Sequence, residues 1–177
     1  MPDSKRRTIA LLFAAVTVAA FVSLALFYPG KGIRMKRASV GVSAPDFELK
    51  DMAGNAWRLS SLEGTPVLVN FWATWCASCR QEMPSLQRLF ERTKTMRIVT
   101  VIYRDDPGNA AEFMRLNNYT MPVLIDMDGS VSSAYGLTGV PETFIVDKKG
   151  VLREKLIGPV EFDSPEALDF FDALQRE

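Results

Sequence analysis

The chain has 177 residues, 47% of them apolar, which suits one domain with a substantial core plus an appendage. Lys and Arg (21) balance Asp and Glu (21), and no basic stripe runs through the body of the chain, which argues against nucleic acid as a partner. There is no histidine. That excludes Ser-His-Asp and Cys-His catalysis and removes the commonest transition-metal ligand.

The first predicted element is the run from Thr8 to Tyr28, which is uncharged and built mostly of Ala, Leu, Val and Phe. Its length of about 20 residues matches a bilayer span. Lys5, Arg6 and Arg7 precede it, so residues 1–7 read as a short basic cytoplasmic head and 8–28 as an uncleaved signal anchor. A cleaved secretory signal is the rival reading, with Ser23 and Ala25 as the small residues at the cleavage site. The apolar run continues past them, however, and is long for a signal segment. Lys31, Arg34, Lys36 and Arg37 follow the span closely, so a simple count of flanking cations does not favour a cytoplasmic N-terminus. A basic head abutting a first apolar segment is nonetheless how exported chains begin. The expected arrangement is a single-pass protein of the cell membrane with its domain outside the cytoplasm, periplasmic or on the outer face.

Residues 29–40 show no apolar periodicity and read as a linker; the globular part is 41–177. Asp46–Leu49 and Ala56–Leu59 flank Asp51-Met-Ala-Gly-Asn55, a hairpin pattern. Val67–Trp72 is a mainly apolar run that suits a central strand covered on both faces. A helix is expected from about Cys76 to Arg92, with Met83, Leu86, Leu89 and Phe90 on its apolar face and a kink at Pro84. A strand over Arg97–Tyr103, a helix over Asn109–Leu116, a short strand at Val123–Ile125 and a helical turn over Ser130–Tyr135 follow. Thr143–Val146 and Val151–Ile157 form a hairpin around Asp147-Lys-Lys-Gly150. Ser164 caps a last helix with Pro165 at its first position, running to about Gln175 with Leu168, Phe171 and Leu174 as its apolar stripe. This order predicts an α/β fold, a mixed sheet flanked by helices.

Cys76 and Cys79 are the only cysteines, spaced C-x-x-C. As a staple the pair is weak: closing a loop of about four residues removes only roughly 2 kcal/mol of unfolded-chain entropy. A zinc site would need two more ligands, without histidine to supply them. Haem attachment needs C-x-x-C-H, and Arg80 stands at the histidine position. A redox dithiol remains. The pair follows a buried strand and opens a helix, where unpaired N–H groups and the dipole favour an anion. Cys76 is then the expected nucleophile, and Cys79, nearly a turn deeper, the resolving thiol.

Phe71-Trp-Ala-Thr-Trp-Cys-Ala-Ser-Cys79 resembles the thioredoxin active-site segment, and Gly139-Val-Pro-Glu-Thr-Phe144 resembles its cis-proline loop. Ala44-Pro-Asp-Phe47 through Leu59-Ser-Ser-Leu62 resembles the N-terminal hairpin of the extracytoplasmic branch of that superfamily, and residues 105–125 resemble its central insert. From about Gly41 onward the chain is similar to the ResA/TlpA type, membrane-tethered thiol–disulfide oxidoreductases of cytochrome c maturation. The resemblance implies a thioredoxin-like fold with N-terminal hairpin and insert. It implies that Pro141 is cis and that, with Val140, it meets a substrate strand beside the sulfurs. Asn70 stands where thioredoxins keep a buried aspartate, and in this branch the acid three residues beyond the second cysteine takes that place, here Glu82. On a helix Glu82 and Cys79 share one face, and a partly buried carboxyl there exchanges protons near neutral pH. The plain alternative is a solvated helix glutamate. Trp72 is expected in the core, whereas Trp75, next to Cys76, shields the sulfur and contacts partners. Arg80 is either a cation favouring the thiolates or a solvated side chain.

The partners implied are a disulfide-containing exported protein, such as apocytochrome c, and an integral-membrane dithiol electron donor. No cofactor or metal is expected beyond the redox-active disulfide. A peroxiredoxin-type peroxidase needs Pro-x-x-x-Thr/Ser-x-x-Cys; counting back from Cys76 gives Val69 and Ala73, and from Cys79 gives Trp72 and Cys76. A copper assembly factor of this fold needs C-x-x-x-C and a distant histidine, both missing here. A non-enzymatic binding module is disfavoured by the intact cysteines and Pro141.

Overall fold

A computed structural model describes residues 16–20, 23 and 38–176. Backbone contacts divide the chain into two units, Met1–Met35 and Lys36–Glu177. In the first, residues 16–20 and 23 are helical. Most of the expected span over 8–28, and most of the linker over 29–40, lie outside the described residues. Among the described residues no helix is long and apolar enough to cross a membrane.

The second unit opens with a hairpin, β1 (Glu48–Asp51) and β2 (Ala56–Arg58). Asp51 builds its turn: Oδ1 accepts the N–H groups of Ala53 and Asn55, each at 2.9 Å. Where the sequence predicts the strand running on to Leu59, a 3-10 turn over Leu59–Leu62 begins instead and buries Leu59. The remaining elements are β3 (Val67–Trp72), α1 (Ala77–Arg92), β4 (Arg97–Ile102), α2 (Pro107–Leu116), β5 (Val123–Ile125), α3 (Ser130–Ala134), β6 (Glu142–Val146), β7 (Leu152–Ile157) and α4 (Pro165–Arg176).

Seven strands form one sheet in the order β2-β1-β5-β4-β3-β6-β7. β3, β4 and β5 are parallel, and the other pairings are antiparallel. Successive side chains of a strand point to opposite faces. Accordingly Leu68 and Trp72 enter one apolar layer with Met83 and Leu86 of α1 and Phe171 and Leu174 of α4. Val67, Val69 and Phe71 enter the other, with Val131 of α3, Tyr135 and Phe144. That two-sided burial is why β3 reads as a continuous apolar run. The result is the thioredoxin-like α/β fold, a mixed sheet flanked by helices.

α1 runs unbroken from Ala77 to Arg92 with Pro84 inside it, so the proline does not divide the expected helix. A proline there removes one intrahelical hydrogen bond. Met83 and Leu86, both fully buried in the same layer, offset that loss by keeping both halves of the helix on one core.

Two connections meet at one edge of this sheet. β3 delivers the chain into Ala73–Cys76 at its C-terminal end. β6, antiparallel to it, begins opposite that end, with Glu142 paired to Phe71. The segment leading into β6, Thr138–Pro141, therefore lies beside the start of α1.

Candidate active site

Cys76 is the N-cap of α1, with extended backbone (φ −85°, ψ 109°), and its Sγ accepts the Cys79 N–H at 3.1 Å. Cys76 and Cys79 form a disulfide with Cα atoms 5.3 Å apart. Cys79 is fully buried, while Cys76 retains 6% exposure at the surface edge. Cys76 Sγ lies 3.5 Å from the Val140 carbonyl oxygen and 3.4 Å from Ser78 Oγ. The Val140–Pro141 bond is cis. Thus the structure brings the first cysteine and the proline loop together although 64 positions separate Cys76 from Val140.

Glu82 lies one turn beyond Cys79 and is only 2% exposed, so it is not a solvated helix glutamate. Its Oε1 accepts from Asn70 Nδ2 at 2.8 Å, and its Oε2 accepts the Val160 N–H at 2.9 Å. Asn70 also donates to Thr143 Oγ1 at 2.9 Å. Burial pushes the Glu82 carboxyl up to about 7, against the opposing effect of the Asn70 and Val160 hydrogen bonds. A carboxyl poised there can take or give a proton at neutral pH. Glu82 is singled out by the resemblance, with its i, i+3 spacing to Cys79 in support. Thr143 and Val160 are not: one faces Asn70 across paired strands, and the other contributes only a backbone N–H.

Trp72 is fully buried. Trp75, 57% exposed, stands beside Cys76 and donates its indole N–H to the Arg104 carbonyl at 3.2 Å. Arg80 is exposed and donates to the Thr74 carbonyl at 2.5 Å, so it braces the loop before Cys76. Glu142, immediately after Pro141, turns back to accept the Thr138 N–H at 2.9 Å and pairs with Lys155 Nζ at 2.9 Å. Burial works to raise its pKa, but the Thr138 and Lys155 donors outweigh it and hold the carboxyl below the usual range. Buried Glu142 thereby fixes the start of the loop that carries Val140 and Pro141; sequence analysis does not single it out. Among the described residues no three His, Cys, Asp or Glu side chains gather as a metal site.

The arrangement is a C-x-x-C disulfide at a helix start, a buried carboxyl with a raised pKa one turn inward, and a backbone loop beside the outer sulfur. A family model described as AhpC/TSA matches residues 40–155. The chain is similar to the thiol:disulfide interchange protein DsbE of Pseudomonas aeruginosa, 41% identical over 129 residues, covering 70% of this chain and 69% of the relative. It is also similar to the thiol-disulfide oxidoreductase ResA of Geobacillus thermodenitrificans, 35% identical over 122 residues, covering 68% and 70%. Among solved structures, MTB DsbF in its mixed oxidized and reduced forms matches with a TM-score of 0.66 at 30% identity, covering 75% of this chain and 99% of that one.

Proposed function

The chain belongs to the AhpC/TSA, thioredoxin-like family and is a thiol–disulfide oxidoreductase, and from that premise we propose that it reduces disulfides of exported proteins, apocytochrome c among them. The observation that carries this reading is the Cys76–Cys79 pair at the start of α1, with Cys76 Sγ 3.5 Å from the Val140 carbonyl. That distance puts a strip of loop backbone beside the sulfur a substrate must reach, where an extended segment can pair by main-chain hydrogen bonds.

In the forward reaction the Cys76 thiolate attacks one sulfur of the substrate disulfide. That bond breaks, a substrate thiolate leaves, and a mixed disulfide forms. Glu82, as carboxylate, takes the Cys79 proton. The Cys79 thiolate then attacks Cys76 Sγ, closes the internal disulfide and releases the second substrate thiol. The substrate gains two electrons and the dithiol loses two, so the pair carries the electrons without a further group. Asn70 and the Val160 N–H hold the Glu82 carboxyl in place.

Trp75, Val140 and Pro141 form the substrate-facing rim in this reading, supported by the exposure of Trp75 and the place of Val140. Residues 1–7, 8–28 and 29–40 serve as head, membrane anchor and linker, and 41–177 as the extracytoplasmic domain. The uncharged run and its basic head support this. An integral-membrane dithiol carrier returns the oxidised pair to the dithiol.

The test is capture in the living cell with Cys79→Ala. Without the resolving thiol, exported proteins are expected to accumulate as mixed disulfides on Cys76, released by added reductant. A variant that collects no adduct, or only cytoplasmic proteins, overturns the reading.

A further inference from the structure

We propose that Asp105 is a positioning residue that presets Trp75 for the substrate. This rests on the reading that a protein disulfide approaches Cys76 past that indole. An exposed tryptophan beside a nucleophile offers a large contact surface, but a mobile one gives up rotamer freedom when it binds. Here Trp75 is fixed from both ends by consecutive residues of one loop. Its indole N–H donates to the Arg104 carbonyl at 3.2 Å. Its backbone is held one residue earlier, where Asp105 Oδ2 accepts both the Thr74 N–H at 2.6 Å and the Thr74 hydroxyl at 2.7 Å.

The Arg104 carbonyl reaches the indole from an unusual backbone. Arg104 has φ +49°, in the left-handed region, which a non-glycine residue adopts only when its surroundings impose it. The constraints lie on either side. Before it, Tyr103 N–H donates to the Trp72 carbonyl at 2.8 Å. After it, Asp105 is tied to Thr74. Asp105 is therefore the node that sets both the Arg104 carbonyl and the Thr74 backbone.

Asp105 also takes a hydrogen bond from the Asn109 side chain in the first turn of α2, but it is not the cap of that helix. The N-cap of α2 is Asp106, whose own carboxylate accepts the Gly108 N–H at 2.7 Å. Asp105 reaches the other way, across 31 positions, with the Asp106 N–H on its second oxygen at 2.8 Å.

The experiment uses the reduced full chain in detergent, mixed rapidly with excess synthetic peptide of about a dozen residues bearing an oxidised Cys-x-x-Cys-His. Acid quenching and mass measurement give the limiting rate and the half-saturating concentration. Asp105→Ala is expected to raise the half-saturating concentration roughly 5-fold while the limiting rate falls less than about 2-fold, because the cost is that of immobilising one side chain. Thr74→Val, which removes one of the two bonds and leaves α2 untouched, shows the same split to a smaller extent. In 5-fluorotryptophan-labelled protein, the Trp75 fluorine line, assigned by Trp75→Phe, sharpens and moves toward that of free fluorotryptophan in Asp105→Ala, while the Trp57 and Trp72 lines stay. An unmoved Trp75 line in both variants, or a fall in limiting rate with an unchanged half-saturating concentration, overturns the inference. If the unsubstituted protein does not react with the peptide at all, the substrate reading fails instead, and the fluorine line still decides the role of Asp105.

Discussion

Cys76 and Cys79 differ in access, 6% against full burial, because one caps α1 and the other lies inside its first turn. In the reduced protein a bulky alkylating agent is expected to modify Cys76 first, read by mass analysis of the two-cysteine peptide; prior labelling of Cys79 would reverse the roles assigned to them. Glu82 is measurable in two ways. Glu82→Gln keeps the shape and removes proton exchange, so release of product from the mixed disulfide should slow more than the first attack. General-base effects are typically ~10²–10⁴-fold; equal slowing of both steps would make Glu82 structural. The second consequence is linkage. The Glu82 carboxyl sits at about 7 in the folded protein, against an ordinary 4.5. Between those values the folded state binds the extra proton. Stability from this group is therefore full below about pH 4.5 and is lost as pH rises through 7, a change of about 3 kcal/mol. Urea unfolding of the oxidised protein at pH 5 and pH 8 checks this: the Gln variant is expected to gain on the parent across that window. A constant difference would show that burial does not raise the carboxyl. Both cysteines are legible because C-x-x-C spacing is local, and Glu82 because the resemblance marks the acid three residues beyond the second cysteine. The partners of Glu82 are not, since Val160 lies 78 positions away and offers only its backbone.

At the scale of elements, local chemistry placed most of the boundaries. Ser164 Oγ accepts the Ala167 N–H at 3.2 Å, the cap expected before Pro165. Val123–Ile125 and the Asp147–Gly150 loop fall where the apolar runs and turn residues put them. What local pattern does not show is tertiary. Pro84 lies inside α1 as expected, and the helix continues through it because its buried face fixes both halves. The segment between β7 and α4 carries no sequence signal for its path, which is set by bonds to Pro141 and to α1. Gly158 N–H donates to the Pro141 carbonyl at 3.0 Å, Val160 N–H to Glu82 at 2.9 Å, and Phe162 N–H to Ser85 Oγ at 3.1 Å. Ser85 is buried and donates in turn to the Glu82 carbonyl at 2.8 Å. Ser85→Ala leaves the buried Phe162 N–H without its acceptor. An unpaired buried donor costs about 1–3 kcal/mol, and chemical unfolding at one pH is expected to show a loss in that range. A loss below about 0.5 kcal/mol would mean that the segment holds its path without Ser85, and that its anchor is Glu82.

For the whole molecule, alternation of strand and helix predicted a mixed sheet with helices on both faces, but not the strand order, in which β1 pairs with β5 across most of the domain. Nor does local pattern show that the β3–α1 and α3–β6 connections share an edge; only the resemblance placed Pro141 opposite the cysteines. Where the domain resides is a question of charge and hydropathy. The proposed span, residues 8–28, is uncharged and about long enough for a bilayer. Three cations precede it, at 5, 6 and 7, and four follow, at 31, 34, 36 and 37. Cations within about 15–20 residues of a span bias that side toward the cytoplasm, so a bare count opposes the proposed orientation by one charge. Three contiguous cations directly before the proposed span oppose that bias if, as proposed, the span is a signal anchor. A periplasmic-type reporter fused after Glu177 in a bacterial host is expected to be active, and the fusion to sediment with membranes through an alkaline wash. Replacing Lys5, Arg6 and Arg7 together with neutral residues removes the opposing term and should shift the reporter toward the cytoplasm. Replacing Lys31, Arg34, Lys36 and Arg37 should leave it outside. Cytoplasmic activity in the unsubstituted fusion would show that the four later cations set the orientation. It would also remove exported proteins from the substrates that Cys76 can meet.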